Sequence, residues 1–111
     1  MYGQASRLDP QLDLALHFLG RALLALRRFD EAEAVLKRRL ALVPHSDMTR
    51  FYLASVYGHT GRLENTRQLW RELLEIRPDF SVEHLRRAVP YQDPALFDWF
   101  LEGIREAGVD V

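Results

Sequence analysis

The sequence predicts an all-α fold in which helix-turn-helix units stack side by side as a solenoid. Pro10, Pro44 and Pro78 recur at a fixed interval of 34 residues, and a period of that length is typical of a repeat made of two helices. Between the prolines, leucines recur at steps of three and four residues, which is the spacing of an amphipathic helix. The period fails after Pro78, so the end of the chain is predicted to be a separate closing segment.

The first unit is predicted to contain two helices. Asp9 caps the free amide groups of a helix that begins near Pro10 and runs to about residue 26. The next helix has acidic residues in its first turn and basic residues at 37–39, an order that suits the helix dipole. The predicted buried stripe of the first helix consists of Leu12, Leu16, Leu19, Leu23 and Leu26.

The second unit repeats this arrangement. Its first helix follows the capping residues Ser46 and Asp47 and ends near residue 59, where glycines mark the exit. Its second helix covers about residues 64–76 and is bounded by Pro78. The sequence therefore predicts four helices before the period is lost.

The closing segment is predicted to hold two further helices. Pro90 forces the helix opened by Ser81 to end near residue 88 or 89, because a proline inside a helix costs roughly 3 kcal/mol or more. A last helix runs over about 94–107 and should cover the last repeat as a solenoid cap. Its apolar face holds Leu96, Phe97, Phe100, Leu101 and Ile104, and its polar face holds Asp98, Glu102, Arg105 and Glu106.

In the 34-residue register, the two units fill the positions of a known motif, which reads W-x2-L-G-x2-Y, then A-x3-F, then P. The residues in these positions include Leu19, Gly20, Ala32, Leu36, Leu53, Ala54, Tyr57 and Trp70. Arg50 and Thr66 depart from the motif, since Trp and Ala are expected there. The chain is identified as a tetratricopeptide repeat protein, and this resemblance implies a right-handed superhelix.

The register makes the chain a single domain of four parts. These are the tail of a truncated repeat, two complete repeats, and a partial repeat with the capping helix, over residues 1–12, 13–46, 47–80 and 81–111. The truncated tail is predicted because Tyr2 and Ala5 fit the aromatic and small positions of a preceding unit. We therefore expect the chain to be the C-terminal piece of a longer protein.

Four stretches carry a more specific pattern. They are Arg7-Leu8-Asp9-Pro10; Leu53-Ala54-Ser55-Val56-Tyr57 with Gly61-Arg62; Arg77-Pro78-Asp79-Phe80-Ser81; and Pro90-Tyr91 with Leu101-Glu102-Gly103-Ile104-Arg105 and Ala107-Gly108. From Leu8 to Val109 the sequence resembles the C-terminal tetratricopeptide region of bacterial class III adenylate or guanylate cyclases. The resemblance implies a regulatory or scaffolding arm whose cyclase domain lies upstream, since none of that domain's motifs appears in this sequence.

Composition excludes several function classes. With 15 basic and 16 acidic residues, the chain has no field that would attract nucleic acid or an anionic membrane. The lack of cysteine removes disulfides and thiolate chemistry and fits a reducing compartment. No apolar run is long enough to span a bilayer, and the first residues do not resemble a signal peptide. These observations predict a cytoplasmic chain.

Neither a metal site nor a catalytic site is predicted. The histidines lack ligand spacing to one another and to suitable carboxylates; they are His17, His45, His59 and His84. Glu72 and Glu75 lie on a helix expected to face solvent, without the burial that shifts the pKa of a carboxyl group for acid or base catalysis. We expect no enzyme activity and no cofactor.

The candidate site is the concave surface that the first helix of each repeat would line. Its residues are Leu14, His17, Arg21, Leu24, Met48, Phe51, Ser55 and His59. One interpretation is a groove with an apolar floor and basic points, suited to a partner with acidic and apolar side chains. The other is that Met48 and Phe51 fill gaps between helices and the rest is solvated surface.

These features predict a protein-interaction or scaffold module that performs no chemistry, belonging to a bacterial signalling protein. The alternative is a structural element that stabilises a dimer of an upstream catalytic domain and has no external partner. A truncated N-terminal face would also expose apolar side chains, and such a surface tends to find a partner. We therefore expect the chain to form a homo-oligomer through that face.

Overall fold

Six helices and no strand make up the part of the chain that the structure describes, residues 10–88 and 94–111. The structure is a computed structural model. The helices are α1 (Pro10–Ala25), α2 (Phe29–Leu42), α3 (Asp47–His59), α4 (Leu63–Ile76), α5 (Val82–Ala88) and α6 (Pro94–Arg105). The predicted all-α fold is confirmed. The predicted repeat tail over 1–12 falls mostly outside the described residues, and so does the predicted break at Pro90.

Helices α1 and α2, and helices α3 and α4, form two hairpins of the same design. In each hairpin a residue with left-handed backbone follows the first helix: Arg27, with φ of 62°, and Gly61, with φ of 82°. The next residue satisfies a free carbonyl group, because the Arg28 amide donates to the Leu23 carbonyl and Arg62 does the same in the second hairpin. The turn geometry therefore repeats with the sequence period.

The first hairpin depends on a close approach at Gly20. A Cβ atom added at Gly20 would overlap the side chain of Leu36 on α2. Ala32 and Leu36 are completely buried on that side of α2. The small residue at position 20 therefore lets the two helices pack at short range, which explains the glycine that the motif carries there.

Arg39 on α2 joins the two hairpins. Its Nε atom donates to Asp13 Oδ1 on α1 at 2.8 Å, and its Nη1 atom donates to Ser46 Oγ at 2.8 Å and to Thr49 Oγ1. The Arg39 side chain is only 11% exposed, so its charge needs the carboxylate partner that Asp13 supplies. One side chain thus connects α1, α2 and the start of α3.

Glu33 makes a second connection between the hairpins. Its carboxylate accepts hydrogen bonds from the Tyr57 hydroxyl at 3.1 Å and from Arg62 Nη2 at 2.6 Å. The bond from Arg62 is the main cause of a lowered pKa at Glu33, and burial raises the pKa of the Tyr57 hydroxyl. At neutral pH Glu33 is therefore ionised and ties α2 to the turn between α3 and α4.

Helix α1 is less covered than the sequence predicts. Leu16 and Leu23 are buried and Leu12 is half-buried, but Leu19 is 47% exposed and Leu26 is 65% exposed. The prediction of one buried stripe of five leucines is wrong at these last two positions. The reason is that α2 and α3 pack on the side of α1 that carries Leu16 and Leu23, and no described residue covers the opposite flank.

Helix α6 packs against α3, and its predicted apolar face is largely confirmed. The completely or nearly completely buried residues of this face are Phe97, Phe100, Leu101 and Ile104, and Leu96 is half-buried. The predicted polar face is exposed to solvent. Helix α5 is short, as predicted, and Arg86 connects it to α6 through an ion pair of 3.0 Å with Asp98.

Candidate interaction surface

Helix α6 occupies the predicted concave side of α3. The rings of Phe51 and Phe97 stack with their centroids 5.9 Å apart. Beside them, the Ser55 hydroxyl donates to the backbone carbonyl of Phe100 at 2.8 Å. Both Phe51 and Ser55 are completely buried. These two predicted site residues therefore hold the chain's own last helix.

The two helices touch at a pair of glycines. A Cβ atom added at Gly58 would overlap the backbone carbonyl of Gly103 on α6, and one added at Gly103 would overlap the ring of His59 and the carbonyl of Ser55. Because neither glycine has a side chain, the backbones of α3 and α6 approach directly. The contact closes the surface at the two glycines, and a cavity of about 350 Å³ remains beside it, lined by Gly58, His59 and Glu102 among others.

His59, at the end of α3, contacts the middle of α6. Its Nε2 atom lies 2.8 Å from the Trp99 carbonyl oxygen, which can only accept, so Nε2 carries a proton and donates it. The imidazole also stacks on the Trp99 ring with centroids 4.0 Å apart. Burial is the main cause of a lowered pKa at His59. The neutral ring is therefore the form that the packed structure favours.

Met48 is the remaining predicted site residue on α3, and it lies apart from the others. It is half-buried and lines a cavity of about 500 Å³ between the start of α3 and the start of α5. Arg77 at this cavity already pairs with Asp47 at 2.8 Å. The structure therefore does not bring Met48 into one continuous surface with Ser55 and His59.

The predicted site residues on α1 are more accessible than those on α3. Leu14 is 51% exposed, His17 and Arg21 are half-buried, and Leu24 is completely buried in the core. The His17 ring contacts Tyr52 with centroids 5.6 Å apart, and burial, followed by the charge of Arg39, lowers its pKa. The open part of the predicted concave surface thus lies on α1.

A cleft that sequence reasoning missed continues this open part. It has a volume of about 350 Å³ and lies between the end of α1 and the start of α6. Its lining residues are Ala25, Arg27, Ala95, Leu96, Trp99 and Glu102. The Arg27 guanidinium carbon lies 4.5 Å from the centroid of the Trp99 ring. No local pattern predicts this cleft, because it forms only when α6 docks on α3.

A second exposed surface lies on α1. The flank of α1 that faces away from α2 is apolar over most of its length, and its exposed side chains are Ala15, Phe18, Leu19, Ala22 and Leu26. Apolar residues around most of a helix indicate that more than one side is meant to be covered. That signal is present in the sequence, since α1 has few polar residues on any side.

Residues 10–88 and 94–111 contain no group of three or more His, Cys, Asp or Glu side chains arranged to hold a metal ion. Within the same ranges, no helix is both long and apolar enough to cross a membrane.

Part of the sequence matches a known protein family. Residues 12–56 match the sequence profile of the family described as "Tetratricopeptide repeat". Residues 12–56 therefore carry the tetratricopeptide repeat pattern. This repeat is a non-catalytic module that serves protein interaction, and the α1–α2 hairpin with α3 is the part of the structure that the match covers.

The chain is also similar to "Putative adenylate cyclase 3" of Rhizobium meliloti (strain 1021), with 65% identity over 45 residues. The match covers 40% of this chain and 8% of that relative. The chain therefore aligns with only a small part of the relative's length. No solved structure matches the chain.

Proposed function

We propose that this chain is the protein-binding, C-terminal regulatory region of a cytoplasmic bacterial signalling protein that resembles an adenylate or guanylate cyclase. The match to the tetratricopeptide family supports binding, and the 65% identity to part of a protein named as an adenylate cyclase supports the context. In this proposal, the complete repeats are 13–46 and 47–80, and residues 81–111 close the array.

The observation that carries the proposal is the division of the concave side into a closed half and an open half. On α3, helix α6 covers Phe51 and Ser55, so a partner has no access there. On α1, Leu14 remains half exposed beside the partly exposed His17 and Arg21. The partner's segment therefore lies along α1 and reaches the cleft at Arg27.

The chemistry of this open half selects the partner. Leu14 and the cleft residues Ala25 and Leu96 offer apolar contact. Arg21 and Arg27 supply two positive charges, against one negative charge from Glu102 in the cleft. A protein segment with apolar and acidic side chains suits this surface better than a basic one. Because the chain's net charge is −1, the attraction is local and does not steer the whole molecule.

A capture experiment with matched variants tests the proposal. Leu14→Glu places a charge on the open half, whereas Leu74→Glu makes the same change at a partly exposed leucine on α4. We expect the unaltered chain and Leu74→Glu to retain a protein from a bacterial lysate that Leu14→Glu loses. Capture of nothing by the unaltered chain would favour the structural alternative, in which the repeats only stabilise a catalytic dimer.

The signalling context has a separate test. The gene that encodes this chain should also encode a nucleotide cyclase domain ahead of the repeats. A reading frame that carries a different catalytic domain, or none, would contradict the cyclase context and leave the binding proposal intact.

A further inference from the structure

The exposed flank of α1 is a continuous apolar surface without a charged residue. Its members are Ala15, Phe18, Leu19, Ala22 and Leu26, and this surface is called the α1 flank below. Phe18 is 60% exposed and Leu26 is 65% exposed, the two largest exposures among the large apolar side chains of the described residues. A single exposed leucine needs no explanation, but five neighbouring apolar positions on one helix mark an interaction site.

The 34-residue register relates positions of the α1 flank to covered positions on α3. Phe18 corresponds to Tyr52, which is 2% exposed, and Ala22 corresponds to Val56, which is completely buried. The same side of the helix is therefore open on α1 and closed on α3.

The preceding hairpin supplies part of this cover on α3. Thr49, which corresponds to Ala15, accepts a hydrogen bond from Arg39 of α2, and the Tyr52 ring lies with its centroid 5.6 Å from that of His17 on α1. Helix α6 adds to the cover at Tyr52. Among residues 10–88 and 94–111, no hairpin lies against α1 in the way that the α1–α2 hairpin lies against α3.

We propose that a further helical hairpin of the same repeat type, supplied by the same polypeptide ahead of Pro10, packs on the α1 flank as the α1–α2 hairpin packs on α3. Stacked repeats bury the apolar sides that a single unit leaves open. The hairpin belongs to the longer protein of the proposed function, so the inference rests on that proposal, but it concerns a different side of α1 from Leu14.

The junction on the α1 flank should be apolar, unlike the junction on α3. Arg39 reaches α3 because the hydroxyl groups of Ser46 and Thr49 accept its hydrogen bonds, whereas leucine and alanine stand at the corresponding positions of the first repeat. A guanidinium group in this place would lose its hydration without gaining a partner, so the seated helix needs a small or apolar residue there. Ala5, which is 34 positions ahead of Arg39, meets this requirement.

Labelling of an introduced cysteine tests whether the α1 flank is covered. Ala22→Cys at an exposed position is made in three proteins: the chain itself, the chain extended by the 34 residues encoded directly ahead of Met1, and the full-length natural protein. We expect a maleimide, followed by mass spectrometry, to modify position 22 at least about tenfold more slowly in the two longer proteins. Leu74→Cys on α4 is the control and should react at the same rate in all three.

The other outcomes overturn the proposal. Equal rates at position 22 in all three proteins would show that the α1 flank stays open. Protection in the full-length protein alone would show that a different part of it covers the flank, and protection of the chain itself that grows with concentration would show a second copy there. An upstream reading frame without the repeat pattern would also overturn the proposal. None of these results depends on capture through Leu14, so the hairpin and the proposed binding function fail separately.

Discussion

Gly58 is the residue at which α3 and α6 come closest. We predict that Gly58→Ala lowers the free energy of unfolding by about 3 kcal/mol, because the added Cβ atom would overlap a backbone carbonyl that cannot turn aside. Urea denaturation measures the change. The control is Gly61→Asn. A Cβ atom at position 61 meets no other atom, and asparagine tolerates the left-handed backbone found there, so the free energy of unfolding should fall by less than about 1 kcal/mol. Equal effects of the two substitutions would show that the helices do not cross at Gly58.

His59 makes the stability of the chain depend on pH. Its pKa is lowered in the folded chain, chiefly by burial, from an ordinary value of 6.5. As the pH falls, the unfolded chain binds this proton before the folded chain does, so the stabilising contribution is complete above pH 6.5 and is lost as the pH falls through the folded pKa. We expect the melting temperature to fall between about pH 7.5 and pH 5.5.

The variant His59→Gln identifies the source of this dependence. Glutamine can still donate to the Trp99 carbonyl but does not titrate, so the melting temperature should vary less over the same pH range. Part of the dependence should remain, because burial also lowers the pKa of His17. The lowered pKa values of Glu33 and Glu72 act only at more acidic pH. An unchanged pH profile in His59→Gln would contradict the buried neutral ring.

At the scale of elements, Arg39 decides how firmly the two hairpins are joined. We predict that Arg39→Ala destabilises the chain by about 2 kcal/mol, less than the loss of a fully buried ion pair because the Asp13 side chain is one-third exposed. Arg28→Ala is the matched control. Arg28 pairs with Glu31 at the surface, so that change should cost less than about 0.5 kcal/mol. Thermal denaturation showing the reverse order would contradict the account of the hairpin junction.

The elements also show what the sequence could and could not predict. The periodic prolines and leucines predicted all four helices of the hairpins. The stripe assigned to α1 was wrong at Leu19 and Leu26, because a local pattern shows that a side is apolar without showing whether a neighbour covers it. Coverage depends on contacts between elements far apart in the sequence.

The same limit applies to the candidate site. Positions on α1 and α3 were assigned to one concave surface by counting along each helix, and this count did place Phe51, Ser55 and His59 on a common side. The sequence also predicted that α6 would cover the last repeat. It could not predict that α6 lies directly on those three side chains, since the path of the chain between α5 and α6 is not encoded in a periodic pattern.

For the whole molecule, α6 acts as part of the core. Four of its side chains are almost completely buried, and full burial of a large apolar side chain contributes about 1.5–3 kcal/mol. Their sum is of the same order as the stability of a small domain. We therefore expect α6 to stay on α3, so that a partner of the concave side binds along α1, as proposed.

The measurement that tests this claim most directly is the affinity of a purified partner, obtained by capture, for the chain and its matched variants. Titration calorimetry should show that Leu14→Glu weakens binding at least about tenfold, which corresponds to about 1.4 kcal/mol. Leu74→Glu should bind like the unaltered chain, because Leu74 lies on α4. Equal affinities for the two variants would contradict binding through the open half of the concave side.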